Sequence, residues 1–262
     1  MLSRIALSDP SVVVTAAIAP LSAEPRAAST QLSQRLAGHL LAVMENRSPW
    51  LRVRGEDDYE GWVHEGFVRC LGSPSEAETF RRGMVSLGCT VRQANGRRLQ
   101  LPLGARIASG VVESGEVIEA ELLVSRFPGN GASVASSALE LFEGAPYEWG
   151  GITPWGADCS GFVQSCFSLH GVLLPRDAWQ QAKCGSDAAH DLALLEPGDL
   201  AFFSDREDRR VTHVAVALGD SRLVHLALGR GGHAIEDAGG SRDTYVEGLV
   251  ERFVCARRVA GQ

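Results

Sequence analysis

The string Asp158-Cys159-Ser160-Gly161 sets a thiol at the start of a helical pattern, with Phe162, Val163, Cys166, Phe167 and Leu169 supplying its apolar face. At such a position the unpaired backbone N–H groups and the positive end of the helix dipole favour a thiolate. They can bring a thiol pKa from about 8.5 into roughly the 3.5–7.5 range. The same N–H groups stabilise an oxyanion formed by attack on a carbonyl, worth about 10²- to 10³-fold per donor. Ser160 and Gly161 are small and let a substrate approach the sulfur. Cys159 is therefore read as a nucleophile. Cys166 lies one heptad on, along the apolar face, and Cys70, Cys89, Cys184 and Cys255 have no polar helix-start context. These five read as small buried hydrophobes.

A thiol nucleophile needs a base, and seven histidines compete for the role. His213 opens the strand-like run His-Val-Ala-Val-Ala-Leu, and His225 lies inside Leu-Val-His-Leu-Ala-Leu. Opposed residues of an antiparallel pair share a face and have a constant sum of residue numbers. The two imidazoles share a face only if that sum is even. A three-residue Gly219-Asp220-Ser221 loop meets the condition, pairing Leu218 with Arg222 and Ala215 with His225. The imidazoles then become diagonal neighbours about 7–8 Å apart at the backbone. His213 is expected to be the base, and His225 to orient its far ring nitrogen. Alternation puts Val214, Val216 and Leu218 on the core side, while Ala215 and Ala217 are expected to leave room for the nucleophile's helix. His170 reads as a helix C-terminal residue, and His39, His64, His190 and His233 as loop or exposed positions.

The elements that must hold these residues fall into three blocks. The first, 1–72, carries short strand-like runs at Val12 to Ala19, Leu40 to Met44, Trp50 to Val53 and Gly61 to Val63, the pattern of a small β-barrel. The second, 73–128, repeats that style at 85–87, 99–101, 106–108 and 115–118, followed by a linker at Phe127-Pro128-Gly129-Asn130-Gly131. The third, 129–262, changes character. Residues 133 to 143 read as a helix, Cys159 to His170 as a second with Gly171 at its C-terminal cap, and strands follow at 199–203, 213–218, 223–228 and 250–256. Helices first and antiparallel strands after make an α+β domain.

Composition narrows the function classes. The 262 residues carry a net charge of −7, which argues against a nucleic-acid partner. Residues 1 to 130 balance 14 acidic against 14 basic side chains, whereas 131 to 262 hold 18 and 11, so the whole excess lies in the half containing Cys159. Such a field draws a cationic substrate group. The start, Met-Leu-Ser-Arg-Ile-Ala-Leu-Ser-Asp-Pro, shows no secretory pattern, and no run is long enough to span a bilayer. The six scattered cysteines match neither a disulfide framework nor a zinc ribbon. Cytoplasmic location, free thiols and the absence of metal, cofactor and membrane partner are the expectations.

At this point the residues resemble a known family. Tyr147-Glu-Trp149-Gly150-Gly151, Asp158-Cys159-Ser160-Gly161-Phe162-Val163, Leu174-Pro175-Arg176-Asp177, Pro197-Gly198-Asp199-Leu200, His213-Val-Ala-Val and Val224-His225 look, in that order, like the NlpC family of cell-wall endopeptidases. The resemblance implies a papain-like fold and a triad of Cys159, His213 and His225. It also implies that Tyr147 lies near the oxyanion site and that Asp158 and Ser160 line the substrate pocket. Pro20 to Pro25 and Asp58-Tyr59-Glu60-Gly61-Trp62-Val63 are similar to bacterial SH3-like domains. Two such domains before an NlpC domain resemble γ-D-glutamyl-L-diamino acid endopeptidases that require a free N-terminal L-alanine, hence a murein peptide substrate. Glu24 and Tyr59 match the residues that close one end of the pocket in that subgroup, and Asp177 matches a further pocket residue. The serine that often follows that aspartate is here Ala178.

A free ammonium is tolerated away from water only when paired. Glu24, Asp158 and the Tyr59 hydroxyl are expected to form its cage. Peptidoglycan whose alanine nitrogen is acylated would then be rejected, because the cage would be left unpaired. The competing readings are an amidase or acyltransferase on the same fold, a wall-binding adaptor without catalysis, and a zinc site made of Cys159, His213 and His225.

Overall fold

The computed structural model describes residues 11–240 and 243–260, so the reading of the first ten residues lies outside it. The chain divides into two compact units, one ending at Leu123 and one beginning at Val124. Among the described residues no helix is long and apolar enough to cross a membrane.

The first unit holds two sheets. Strands β1 (Ser11–Val14), β2 (Ile18–Ser22), β3 (Gln31–Leu36), β4 (Leu40–Arg47), β5 (Trp50–Arg54), β6 (Glu60–His64) and β7 (Val68–Cys70) form one sheet in the order β3-β2-β6-β5-β4-β1-β7. Val12, Val14, Leu21, Leu41, Val53 and Val63 fill its interior, as alternation of β-branched and leucine side chains requires. The single strand expected from Val12 to Ala19 is broken in two. Thr15 donates its N–H and its hydroxyl to the Phe67 carbonyl, at 2.9 and 3.2 Å, and the chain turns there. A helix, α1 (Pro74–Arg82), leads to the second sheet, in which β8 (Met84–Arg92) pairs with β9 (Arg98–Leu101), β10 (Arg106–Ile107) and β11 (Val111–Glu119). The β8–β11 register slips twice, and Gly115 stands at one slip with φ of 84°. A Cβ there would lie 2.1 Å from the Gly88 carbonyl oxygen, so only glycine fits.

A single turn, α2 (Leu123–Arg126), runs across the boundary in the chain, and the second unit goes on with α3 (Gly131–Glu140), whose N-cap Asn130 accepts from the Ser133 N–H at 3.0 Å. A small hairpin, β12 (Ile152–Thr153) with β13 (Gly156–Ala157), precedes α4 (Cys159–Leu169) and the short α5 (Ala178–Gln181). Strands β14 (Ser186–Asp187), β15 (Leu200–Phe203), β16 (His213–Gly219), β17 (Arg222–Ala227), β18 (Gly232–Asp237) and β19 (Phe253–Arg258) form one antiparallel sheet, ordered β14-β19-β15-β16-β17-β18. Helix α6 (Thr244–Glu251) sits between β18 and β19 in the chain. The expected helices and strands of this unit are present, with Gly171 in the left-handed conformation just past α4. The run expected as a strand over 250–256 instead ends α6 and then begins β19, because Asp243 accepts from the Val246 N–H at 2.9 Å and starts a helix there.

Both faces of β16 are covered. Ala215 and Ala217 pack with Leu192, Leu195, Phe203, Leu223 and Leu249. Phe162 of α4 meets the His233 ring at 6.3 Å, and His233 pairs with Leu226. By alternation, Leu226 shares its face with Val224 and Val216. The nucleophile's helix therefore lies over the valine face, not the alanine face as expected. The alanine face is filled by α6 and by the turn around Leu192.

Candidate active site

The start of α4 is held by a buried ion pair. Asp158 is the N-cap, its Oδ1 accepting from the Gly161 N–H at 2.7 Å and its Oδ2 from the Gly150 N–H at 2.9 Å. Arg176 grips the same carboxylate with two parallel bonds, Nη1 to Oδ1 at 2.9 Å and Nη2 to Oδ2 at 2.6 Å. It is 1% exposed, and Asp158 7%. The Ser160 hydroxyl accepts from Arg176 Nη1 at 2.9 Å and donates to Asp158 Oδ1 at 3.2 Å. Gln181 donates to the Ser160 and Pro175 carbonyls at 3.0 and 2.9 Å. Gly161 must be glycine, since a Cβ would lie 2.1 Å from the Gly151 carbonyl oxygen. Asp158 thus caps the helix, with no unengaged oxygen to offer an ammonium. Arg176 had no assigned role in the sequence reading. Its signal was there, in a buried acid before Cys159 that required a cation.

The base side is built by the β16–β17 hairpin. Val216 pairs with Val224 and Ala217 with Leu223, so the sum is even, and continuing the register sets Ala215 across from His225. The even sum has a different origin from the three-residue loop expected. Gly219 pairs with Arg222 across a two-residue Asp220-Ser221 turn, and the register slips at Leu218. Asp220 and Ser221 have φ of 50° and 63°, the twist that suits a tight hairpin. The slip adds the residue that the short turn lacks. His213 Nε2 and His225 Nδ1 are consequently 2.8 Å apart. The Val214 N–H donates to the Cys159 sulfur, which puts the thiol at the opening of β16, against the residue that follows His213.

Residues absent from the sequence reading complete this side. Glu236 on β18 accepts from His225 Nε2 at 3.4 Å, and Arg230 holds it through Nε to Oε1 at 2.7 Å and Nη2 to Oε2 at 3.0 Å. The Tyr245 ring lies 6.2 Å from His225. Strand β18 opens on Gly232, directly after Gly231, and this glycine pair masked its alternation.

The electrostatics reverse one expectation. Burial, with the Asp158 charge adding to it, pushes the Cys159 thiol up to about 12. The Val214 and Ser160 N–H groups and Arg176 pull the other way but do not offset it. Burial and the neighbouring His225 push His213 down to about 3. A lone charge on either group is disfavoured, so burial favours the neutral thiol and the neutral imidazole. Alkylation of Cys159 by iodoacetamide needs the thiolate. Its rate is expected to climb by about tenfold per pH unit between pH 6 and 9, with no acid plateau. A flat rate from pH 5 to 8 would instead reveal a standing thiolate–imidazolium pair.

The remaining expected residues are placed as follows. Tyr147 is half-buried, and its hydroxyl is held protonated by burial and by the nearby Cys159 and Asp158 charges, which makes it a hydrogen-bond donor. Asp177 stands at the start of α5, where its N–H donates to Gln180 Oε1 at 3.4 Å. Ala178 is buried. In the first unit, Glu24 is exposed and paired with Arg26 at 2.7 Å, and Tyr59 packs against the sheet interior. His170 is buried between the Pro128 carbonyl and the Ser137 hydroxyl, a tie between segments and not a simple cap. His39 and His233 are not solvated as expected. They bond to the Gly104 and Ala138 carbonyls, respectively. Among the described residues no group of three or more His, Cys, Asp or Glu could hold a metal ion.

Residues 144–249 match the NlpC/P60 family, and residues 21–66 match the bacterial dipeptidyl-peptidase Sh3 domain. A gamma-D-glutamyl-L-lysine dipeptidyl-peptidase of Bacillus cereus is 36% identical over 228 residues, which are 74% of this chain and 66% of that protein. A protein of the same name from Bacillus subtilis is 38% identical over 119 residues, 45% of this chain and 37% of that one. The chain thus spans less than two thirds of the length of either relative. In fold, the crystal structure of an NlpC/P60 family protein from Bacillus cereus superposes with a TM-score of 0.79 at 18% identity, covering 95% of this chain and 99% of that one. With a thiol at a capped helix start, a paired-histidine hairpin beside it and both family matches in place, the chain belongs to the NlpC/P60 family of cysteine peptidases, with a bacterial SH3 domain ahead of its catalytic domain.

Proposed function

We propose that this peptidase hydrolyses the γ-D-glutamyl-L-diamino acid bond of murein peptides that begin with a free L-alanine, as part of cell-wall peptide recycling in the cytoplasm. The observation that carries the reading is the Cys159 sulfur at the opening of β16, against the N–H of the residue that follows His213, with His213 Nε2 bonded to His225. Cys159 attacks the γ-carbonyl carbon while its proton passes to His213. The developing oxyanion is met by N–H groups at the start of α4 and by the Tyr147 hydroxyl. The C–N bond breaks as His213 returns the proton to the leaving amine. Water then attacks the thioester, with His213 as base, and frees the acid.

The substrate side rests on three supports. Two relatives carry the name gamma-D-glutamyl-L-lysine dipeptidyl-peptidase. The excess of acid over base in residues 131 to 262 suits a cationic peptide terminus. Glu24 and Tyr59 match the ammonium-recognising positions of the subgroup that the sequence resembles. With Asp158 engaged by Arg176, we assign the negative charge of that recognition to Glu24.

The test uses L-Ala-γ-D-Glu-L-Lys, its diaminopimelate counterpart and their N-acetylated forms. Cleavage of the free peptides between glutamate and the diamino acid is expected, with acetylation lowering kcat/KM by about 10²-fold or more. Equal rates with and without the acetyl group would remove the free-amine reading. Failure to cleave any of the four would remove the substrate assignment.

A further inference from the structure

A carboxylate can only accept a hydrogen bond, and that fact propagates along the chain of rings behind Cys159. Glu236 is 5% exposed and held by Arg230, whose bonds, with that from His225, keep its carboxyl below the usual range despite burial. His225 is fully buried, and its Nε2 faces Glu236 Oε1 at 3.4 Å, so Nε2 carries the hydrogen. When that ring carries a single hydrogen, its Nδ1 is a lone pair. It faces His213 Nε2 at 2.8 Å, so that nitrogen in turn must donate. One nitrogen of His213 is left without hydrogen, and it is Nδ1.

We infer that Glu236 is a positioning residue that sets the tautomers of both histidines and thereby makes His213 Nδ1 the base for Cys159. The inference rests on the reading of Cys159, His213 and His225 as the catalytic group. With Glu236 absent, His225 can carry its hydrogen on Nδ1 and donate it to His213 Nε2. His213 would then hold its own hydrogen on Nδ1 and present no lone pair there. The ring positions would be unchanged, and only the hydrogens would have moved. Arg230 supports this arrangement from a different direction. It also bonds Asp243 at 2.8 Å and lies over the Tyr245 ring at 4.3 Å, so it fixes Glu236 to the start of α6.

The test reads tautomers directly, by two-bond ¹⁵N–¹H correlation spectra of histidine-labelled full-length protein near pH 7. Wild type is expected to show His213 and His225 both as Nε2–H forms. Either ring found as Nδ1–H would overturn the inference, whatever the protein does with peptides. Glu236→Leu should give a mixture in which Nδ1–H forms appear. With the peptide as substrate its kcat should fall by about 10- to 100-fold and its KM should change less than threefold. Glu236→Gln keeps a carbonyl that accepts from His225, and it should restore the Nε2–H forms and most of kcat. Unchanged tautomers in Glu236→Leu would also refute the role. Should that variant fail to fold, the wild-type spectrum and the glutamine variant still decide. A wild type inactive on every peptide, yet with both rings as Nε2–H, would count against the substrate reading and leave the tautomer assignment standing.

Discussion

Replacing Arg176 with methionine is expected to destabilise the protein by about 3–5 kcal/mol and to remove turnover with it. The guanidinium is 1% exposed and makes two parallel bonds to a carboxylate that is itself 7% exposed. Methionine fills much of the volume, but it leaves a buried negative charge with only the Gly150 and Gly161 N–H groups and the Ser160 hydroxyl as donors. A loss of that size is a large share of the 5–15 kcal/mol typical of a whole domain. The diagnostic is a double-mutant cycle. Adding Asp158→Asn to Arg176→Met removes the stranded charge, so the double variant should be more stable than Arg176→Met alone. Urea melts of the four proteins measure this. If the two changes simply add, or if Arg176→Met costs under about 1 kcal/mol, the pair does not hold the helix start.

The second large effect separates chemistry from stability. Cys159→Ala should lower turnover by about 10⁴-fold or more, since no other group can form the thioester. The fold should survive, because the change removes one sulfur at a helix terminus whose cap is Asp158 and not the cysteine. Stability is expected to stay within about 1–2 kcal/mol of wild type. Activity above about 1% of wild type, with the same product, would mean that another group is the nucleophile. A structural cysteine at this position would give the opposite result, an unstable protein with normal kcat per folded molecule.

These two residues also mark what can be read along a sequence and what cannot. The helix at Cys159 was legible because its apolar face repeats within eleven residues and Gly171 closes it. The paired histidines were legible because strand alternation and an even register sum constrain them together. The loop was misjudged because a slip at Leu218 and a shorter turn give the same parity as a longer turn. The signal for Arg176 lay not beside it but at Asp158, 18 residues earlier. Glu236 was hidden for a related reason, in a strand whose start falls in a glycine pair. The thiol's acidity was misread because helix position is local, whereas burial depends on everything that closes over the sulfur. The packing of α4 on the valine face shows the same limit. Alternation sorted the side chains of β16 correctly into two sets, but only the docking of α6 decided which set met which helix.

The order of strands carries a consequence for timing. In the six-stranded sheet, β19 is inserted between β14 and β15, although its residues follow those of every other strand in that sheet. Cys159 and both histidines therefore leave the ribosome before the second partner strand of β15 does. Until residues 253 to 258 arrive, β15 has a bare edge, and the Asp199 carboxylate lacks Arg258, which grips it at 2.8 Å. Completing the sheet beside β15 therefore depends on a segment that follows every residue that does chemistry, a pairing far apart in sequence.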